Sequence, residues 1–453
     1  MINGKEYSVR QHPRTPKNIR GPALWKRAKQ IIPGGNQLLS KRAEMFLPEF
    51  WPAYYQKSQG INVWDLNGNR YTDISIMGIG SCVLGYANPQ VNAAVKKAID
   101  RGSMSTLNCP EEVELAEKLI ALHPWAGMVR FARTGGEACS IAVRIARAFS
   151  GKDAVLFCGY HGWSDWYLAS NLSESKNLDG QLLPGLAPKG VPKALAQTAI
   201  PFHYGALSEL KAKVAARKGK IGTIIMEVQR HKSVDVEFLK AVRAIATKIK
   251  AVLIFDEVTS GFRMCCGGAH MLYGVEPDIV VLGKALGNGY PIASVVGRKN
   301  VMQAAQGTFI SSTYWTERIG FTAALELIRQ FKKRRVPKHL ERIGAELITG
   351  LRSIFALHDL KIEVEGAYAN PILAIHEKDP LVVKTVFTQE MLKRGFLAST
   401  TIYLSMAHTS QVIKRYLAHA SEVFALIARA KKENKLSQLL NGPVCHSGFQ
   451  RLA

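Results

Sequence analysis

The sequence offers no pair of cysteines spaced to clamp a metal or to run a redox cycle. Its seven cysteines stand at positions 82, 109, 139, 158, 265, 266 and 445. An odd total with no C-x-x-C pattern suits a reducing compartment better than a disulfide framework. Adjacent Cys265 and Cys266 are too close in sequence to form a metal clamp, and the twelve histidines are scattered, so no metal centre is expected. Long apolar runs are also missing, with nothing near the roughly 18 residues that a membrane helix needs. The first stretch, MINGKEYSVRQHPRTPKNIRGP, lacks the apolar core of a secretory signal. A flexible basic arm over 1–20 and a cytoplasmic location are the expectations. No internal repeat or low-complexity tract appears.

Acidic residues are scarce as well. Thirty-five Asp and Glu face sixty Lys and Arg, a net charge of +25. Such a surplus suits nucleic acid, an anionic surface or an anionic small molecule. The charges are spread along the chain, and Lys332-Lys333-Arg334-Arg335 is a short cluster with no nucleic-acid-binding motif around it. Membrane and nucleic acid are therefore set aside as partners in favour of an anionic small molecule.

What is present is a chain of 453 residues, 47% hydrophobic and 21% charged, long enough for two or three units with a large core. Short apolar runs alternate with amphipathic stretches. Residues 22–31 read as a helix with Leu24, Ala28 and Ile31 on one face, and 61–74 as a hairpin turning at Asn67-Gly68. Glycine-rich 77–85 excludes regular helix, and a helix follows over Pro89–Asp100. Strands are expected at 129–132, 154–158 and 221–226, with helices at 111–122, from 138 onward and at 237–249. Residues 170–200 show no period and read as a long, lid-like loop. One charged helical stretch, 325–355, leads to strands near 361–365 and 371–376 and helices near 380–394 and 410–432. This alternation predicts an α/β fold around a mostly parallel sheet. The expected division is 1–20 arm, 21–110 N-terminal segment and part of a small domain, 111–330 large domain, and 331–453 C-terminal small domain.

The most informative stretch is 251–291, AVLIFDEVTSGFRMCCGGAHMLYGVEPDIVVLGKALGNGYP. Ala251–Phe255 and Ile279–Leu282 read as buried strands. One delivers Asp256 at its carboxyl end and the other Lys284 just past its own, where open α/β sheets keep their ligand chemistry. A lysine between an apolar strand and Ala285-Leu286-Gly287 is costly unless it has a task. An electron-sink cofactor needs a carboxylate beside its pyridine nitrogen and a lysine amine to hold it and move protons. Pyridoxal phosphate (PLP) meets that description. Thr134-Gly135-Gly136-Glu137 opens a helix directly after a strand, which reads both as a capping box and as a phosphate cradle of open backbone N–H groups. Tyr160-His161-Gly162 follows another strand, with an aromatic face available for a planar ring.

Taken together, TGGEA at 134–138, YHG at 160–162, DEVTSGFR at 256–263 and GKALGNGYP around Lys284 resemble the class III aminotransferases. IPGG at 32–35, VWDLNGNRYTD at 63–73 and LPGLAPKGVP at 183–192 are similar, more narrowly, to the glutamate-1-semialdehyde aminomutase subgroup. The resemblance runs from about residue 22 to 430. It implies the fold type I architecture of PLP-transferases, with a large mostly parallel sheet domain and a smaller α/β domain built from both chain ends. It also implies a homodimer and ping-pong transamination through a lysine Schiff base, the alternative being the aminomutase reaction that makes 5-aminolevulinate. Lys284 matches the Schiff-base lysine and Asp256 the partner of the pyridine nitrogen. Val258 and Tyr160 match the residues on either ring face, and His161 belongs to the same motif as Tyr160. Thr134, Gly135 and Gly136 match the phosphate cradle, Glu227 the acidic strand end, and Thr313 a phosphate ligand reaching the neighbouring subunit.

Substrate-side positions depart from the aminomutase. Gly78-Ile79 stands for its Ser-Trp pair, and NQLLSKR follows PGG, leaving Lys41 or Arg42 as the substrate cation. Thr400 stands for a glutamate, Val228 for a proline, and SSTYWTER for a stretch of small residues. The cofactor machinery is complete while the substrate side differs, the pattern of a relative with another donor or acceptor.

Overall fold

The computed structural model describes residues 20–181, 184–229 and 233–449; the arm over 1–19 and Leu183 lie outside the described residues. Among the described residues, thirteen strands run in chain order: β1 Tyr55–Gln59, β2 Asn62–Asp65, β3 Arg70–Ile74, β4 Met128–Ala132, β5 Ala154–Cys158, β6 Ala199–Pro201, β7 Ile221–Glu227, β8 Val252–Glu257, β9 Ile279–Leu282, β10 Ala293–Gly297, β11 Ile362–Ala367, β12 Asn370–Ile375 and β13 Phe396–Ala398. Seven of them form the central sheet in the order β4-β10-β9-β8-β7-β5-β6. All its pairs are parallel except those of β10, which is antiparallel to both β4 and β9.

Side chains of this sheet alternate between two apolar layers, as the period of a strand requires. Val252 and Ile254 face the helix Gly135–Ser150, with Val155, Phe157, Ile225 and Val281. Leu253 and Phe255 face the other layer, with Leu156, Met226, Val280 and residues of the helices Pro110–Leu122 and Arg318–Lys333. Each such side chain contributes about 3 kcal/mol against truncation to alanine.

A second sheet joins distant parts of the chain. β1, β2 and β3 form an antiparallel meander, and β13 adds in parallel beside β3. The β2–β3 turn is fixed by Asp65, whose Oδ1 accepts from the Asn67 and Asn69 N–H groups, with Gly68 at φ +82°. β11 and β12 form a separate hairpin.

Several expectations need correction. The stretch 170–200 carries a helical turn Ser170–Ser173, a 3-10 turn Lys193–Leu195 and edge strand β6. Asn171 holds it together, accepting from Leu178 N–H and donating to Leu186 O. The charged stretch 325–355 is two helices, Arg318–Lys333 and Val336–Leu357, parted where Arg335 turns left-handed before Pro337. The first helix buries Gly21, Trp25 and Ala28, leaving Leu24 and Ile31 exposed. The bulk of Trp25, with its Nε1–H donating to Glu44 at 3.0 Å, decides that face.

Two buried histidines make stability depend on pH. His123 Nδ1–H donates to Leu119 O while Nε2 accepts from Gly268 N–H. His408 Nε2–H donates to Asp73 O while Nδ1 accepts from Ser405 N–H. Each ring is satisfied only when neutral, and burial pushes both down to about 4. Below pH 6.5 the unfolded chain takes up these protons and the folded chain does not, so stability is lost as pH falls toward 4. The size is on the order of 3 kcal/mol per ring. Burial pushes Asp73 the other way, up to about 6, so it returns stability as pH falls from 6 toward 3.8. Two losses outweigh one gain of similar size. Urea unfolding is expected to show lower stability at pH 4.5 than at pH 7, with His123→Gln and His408→Gln flattening the difference.

Candidate active site

Register brings the site together. Glu227 of β7 pairs with Asp256 of β8, and Glu257 pairs with Leu282 of β9. The carboxyl ends of β7, β8 and β9 therefore place Glu227, Asp256 and Lys284 along one edge of the sheet.

Asp256 is buried and held from three sides. His161 Nδ1 lies 2.8 Å from Oδ2, Cys139 Sγ lies 3.2 Å from the same oxygen, and Val258 N–H donates to Oδ1 at 3.0 Å. Burial alone would raise this carboxyl, but the hydrogen bond and charge of His161, then Val258 N–H and Cys139, hold it below its ordinary value. His161 Nε2 faces Cys158 O at 3.2 Å. Cys139, His161 and Asp256 place their polar atoms within 4.8 Å of one another. With two donors already on one carboxylate oxygen, hydrogen bonds close this cluster.

Glu257, the next residue, points away from Asp256 into the other layer. Its carboxylate accepts from His270 Nδ1 at 2.7 Å, from the His270 and Ala269 N–H groups and from Ser260 Oγ. Burial would raise its carboxyl, and the His270 bonds bring it below the ordinary value. Trp125 Nε1–H donates to His270 Nε2 at 3.1 Å, which backs the turn that carries Asp256.

Lys284 is half-buried at the start of the 3-10 turn Lys284–Gly287, and its Nζ donates to Thr259 Oγ1 at 2.8 Å. Its φ is +42°, a left-handed conformation that costs a non-glycine residue free energy and marks positions held for function. Thr259 also offers its carbonyl to Arg263 Nε at 2.6 Å. Arg263 is fully buried, donates to Gly80 O and lies over the Tyr403 ring; burial pushes its guanidinium down to about 10. Thr259 was missed in the sequence, though its place three residues after Asp256 in the strand-end turn was a usable signal. Cys139 was missed too, because only the tertiary fold brings its helix against β8.

The turn Thr134-Gly135-Gly136 forms the opposite wall. Thr134 caps the helix Gly135–Ser150 in a full capping box: Oγ1 accepts from Glu137 N–H, and Glu137 Oε2 accepts from Thr134 N–H at 2.8 Å. Among the described residues, the Gly135 and Gly136 N–H groups find no acceptor, so two open donors stand at a positive helix end. A Cβ on Gly135 would come within 2.8 Å of Val258 Cγ1, and one on Gly162 within 2.8 Å of Gly136 Cα. Gly162, at φ +108°, thus lets the Tyr160 loop touch the helix start. Tyr160 is partly exposed beside this wall, its N–H donating to Glu227 Oε2 at 3.0 Å and its ring edge-on to Tyr167. A buried carboxylate, an adjacent lysine amine and an open pair of backbone donors fit the pyridine nitrogen, aldehyde and phosphate of PLP.

The remaining expected residues lie elsewhere. Thr313 is exposed in the turn Thr313–Thr316. Lys41 lines a cavity of about 670 Å³ with Trp51, Tyr54, Asp73, Ser75 and Gly289. Lys284 is not among the residues lining it; Gly78, Ser81 and Cys82 form part of its wall, and Gly80 between them accepts from Arg263. Arg42 packs over the Phe449 ring instead, and Thr400 contributes its carbonyl to Leu373 N–H.

Comparison with known proteins matches residues 48–424 to the class III aminotransferase family. The 3-aminobutyryl-CoA aminotransferase of Cloacimonas acidaminovorans is 30% identical over 426 residues, covering 92% of this chain and 97% of that protein. The glutamate-1-semialdehyde 2,1-aminomutase of Citrifermentans bemidjiense is 31% identical, covering 90% and 99%. Among solved structures, the PLP internal aldimine form of the FumI protein from a Sphingopyxis species superimposes with a TM-score of 0.83 at 25% identity, covering 92% and 98%.

Proposed function

This chain belongs to the class III aminotransferases, which use PLP, and on that premise we propose that it moves an amino group between a small donor and a carbonyl acceptor, with Lys284 as the cofactor lysine. The observation that carries this reading is that buried Asp256 ends one strand while Lys284 follows the end of the strand paired beside it. PLP supplies an electron sink for charge developing beside the transferred nitrogen. Asp256 would hold the ring nitrogen, and the Gly135 and Gly136 N–H groups, with Thr134, would hold the phosphate. Val258 and Tyr160 would pack against the ring, while His161 keeps Asp256 in place and Glu227 holds the Tyr160 N–H. Lys284 Nζ takes and returns the substrate's proton, and Thr259 Oγ1 orients that amine when no substrate is present.

The acting unit in this reading is a homodimer in the cytoplasm. Phe309 and Tyr314, close in sequence to Thr313, are both exposed large side chains, which supports a subunit contact here and Thr313 reaching a neighbouring subunit's phosphate. The domain division expected from the sequence is kept, with β13 beside β3 supporting a small domain built from both chain ends.

On the substrate side, Lys41 at the cavity is the cation for an anionic donor or acceptor, ahead of Arg42 and Thr400. Lys41→Ala is expected to raise KM for an acidic donor about tenfold, the value of one charge-assisted hydrogen bond, with kcat little changed. An unchanged KM would move that role to another residue.

The test of the reaction is a screen of amino donors against the PLP-loaded protein, following conversion of the cofactor's absorbance to the pyridoxamine form. If no donor converts it, transamination is wrong. The aminomutase reading is favoured by the Citrifermentans relative and opposed by Gly78-Ile79. Incubation with glutamate-1-semialdehyde decides it by whether 5-aminolevulinate accumulates.

A further inference from the structure

Cys139 lies in the second turn of the helix Gly135–Ser150, with its thiol buried against β8. A carboxylate oxygen offers two acceptor positions. Asp256 Oδ2 receives two side-chain donors from separate elements, Cys139 Sγ at 3.2 Å and His161 Nδ1 at 2.8 Å. Among the described residues, Oδ1 receives only Val258 N–H. The two oxygens are therefore unequal: one is filled by the protein, and the other keeps an acceptor position open. An aliphatic side chain at 139 would fill the same space and leave Oδ2 half-occupied.

We propose that Cys139 is a positioning residue for Asp256, its S–H joining His161 on Oδ2 so that Oδ1 stays available to the cofactor's ring nitrogen. The inference rests on the reading of Asp256 given above. Burial first, and the Asp256 charge second, push the thiol well above its ordinary range, so it remains a donor at any working pH. The same burial keeps it from acting as a nucleophile.

Three variants separate this role from simple space filling. Cys139→Ser keeps a donor, while Cys139→Ala and Cys139→Val remove it, the last preserving bulk. PLP is titrated into each apoprotein, and the absorption of each holoprotein is followed across pH. Loss of one hydrogen bond to a charged group predicts about tenfold weaker PLP binding in the alanine and valine variants. Their bound-cofactor absorption should also titrate at a shifted pH. The serine variant should stay within about twofold of the parent, as a retained donor requires. If the thiol only fills space, valine is harmless and serine behaves like alanine. Affinity and the spectral pH profile are then unchanged while the apoprotein melting temperature falls, and that result overturns the proposal. If the parent protein itself binds no PLP, the functional reading fails before any variant is compared and takes this inference with it.

Discussion

Replacing Lys284 by alanine is expected to lower kcat/KM for transamination by at least about 10⁴-fold while leaving the fold intact. Positioned proton transfer alone supplies about 10²- to 10⁴-fold, and Lys284 also serves as the covalent anchor. Arg263 reaches the same Thr259, but it is a guanidinium, held through Nε by Thr259 O and through Nη2 by Gly80 O, and offers no amine for the covalent role. The variant should remain folded because Lys284 is only half-buried and gives up one hydrogen bond, to Thr259. Alanine at φ +42° carries the same left-handed backbone cost as the lysine it replaces, so the substitution adds no strain there. Steady-state kinetics beside a thermal melt of the apoprotein measure both halves of the expectation. An active Lys284→Ala protein would remove the lysine from the mechanism.

Replacing Asp256 by alanine is expected to damage activity and stability together. Removing a preorganised electrostatic partner costs about 10²- to 10³-fold in kcat. His161 and Cys139 would lose their shared acceptor in a buried position, and leaving a buried donor unsatisfied costs about 1 to 3 kcal/mol. The apoprotein melting temperature should fall, in contrast to Lys284→Ala. Asp256→Asn retains the shape but turns an amide donor toward His161 and Cys139, so it should recover packing better than chemistry. A fully active Asp256→Asn protein would show that the charge on this residue is dispensable.

The contrast follows from how each residue is held. Asp256 is clamped by side chains from two other elements, whereas Lys284 is presented by a strained turn. Both positions were legible in the sequence because each follows a short apolar run, and apolar runs of that length are what a buried parallel strand leaves behind. The capping box at Thr134 was legible for a similar reason, since its donors and acceptors are neighbours in sequence. Cys139 was not, because its contact with Asp256 spans 117 residues and carries no local pattern. β10 was missed because its residues follow the turn after Lys284 directly, and their antiparallel placement between β4 and β9 is decided by the sheet. The face of the first helix was misread because apolar spacing alone does not register that one indole outweighs two exposed aliphatic side chains.

The substrate side was harder to read for a physical reason. Lys41 and Arg42 are adjacent, and only packing separates them, with the Phe449 ring covering Arg42 and the cavity facing Lys41. No property of either side chain distinguishes them before the chain is folded.

Borohydride reduction of the PLP-loaded protein, followed by peptide mapping, tests the central claim most directly. The account predicts a single pyridoxyl adduct on Lys284, lost in the Lys284→Ala protein. An adduct on another lysine, or none on a protein that retains PLP, would contradict it.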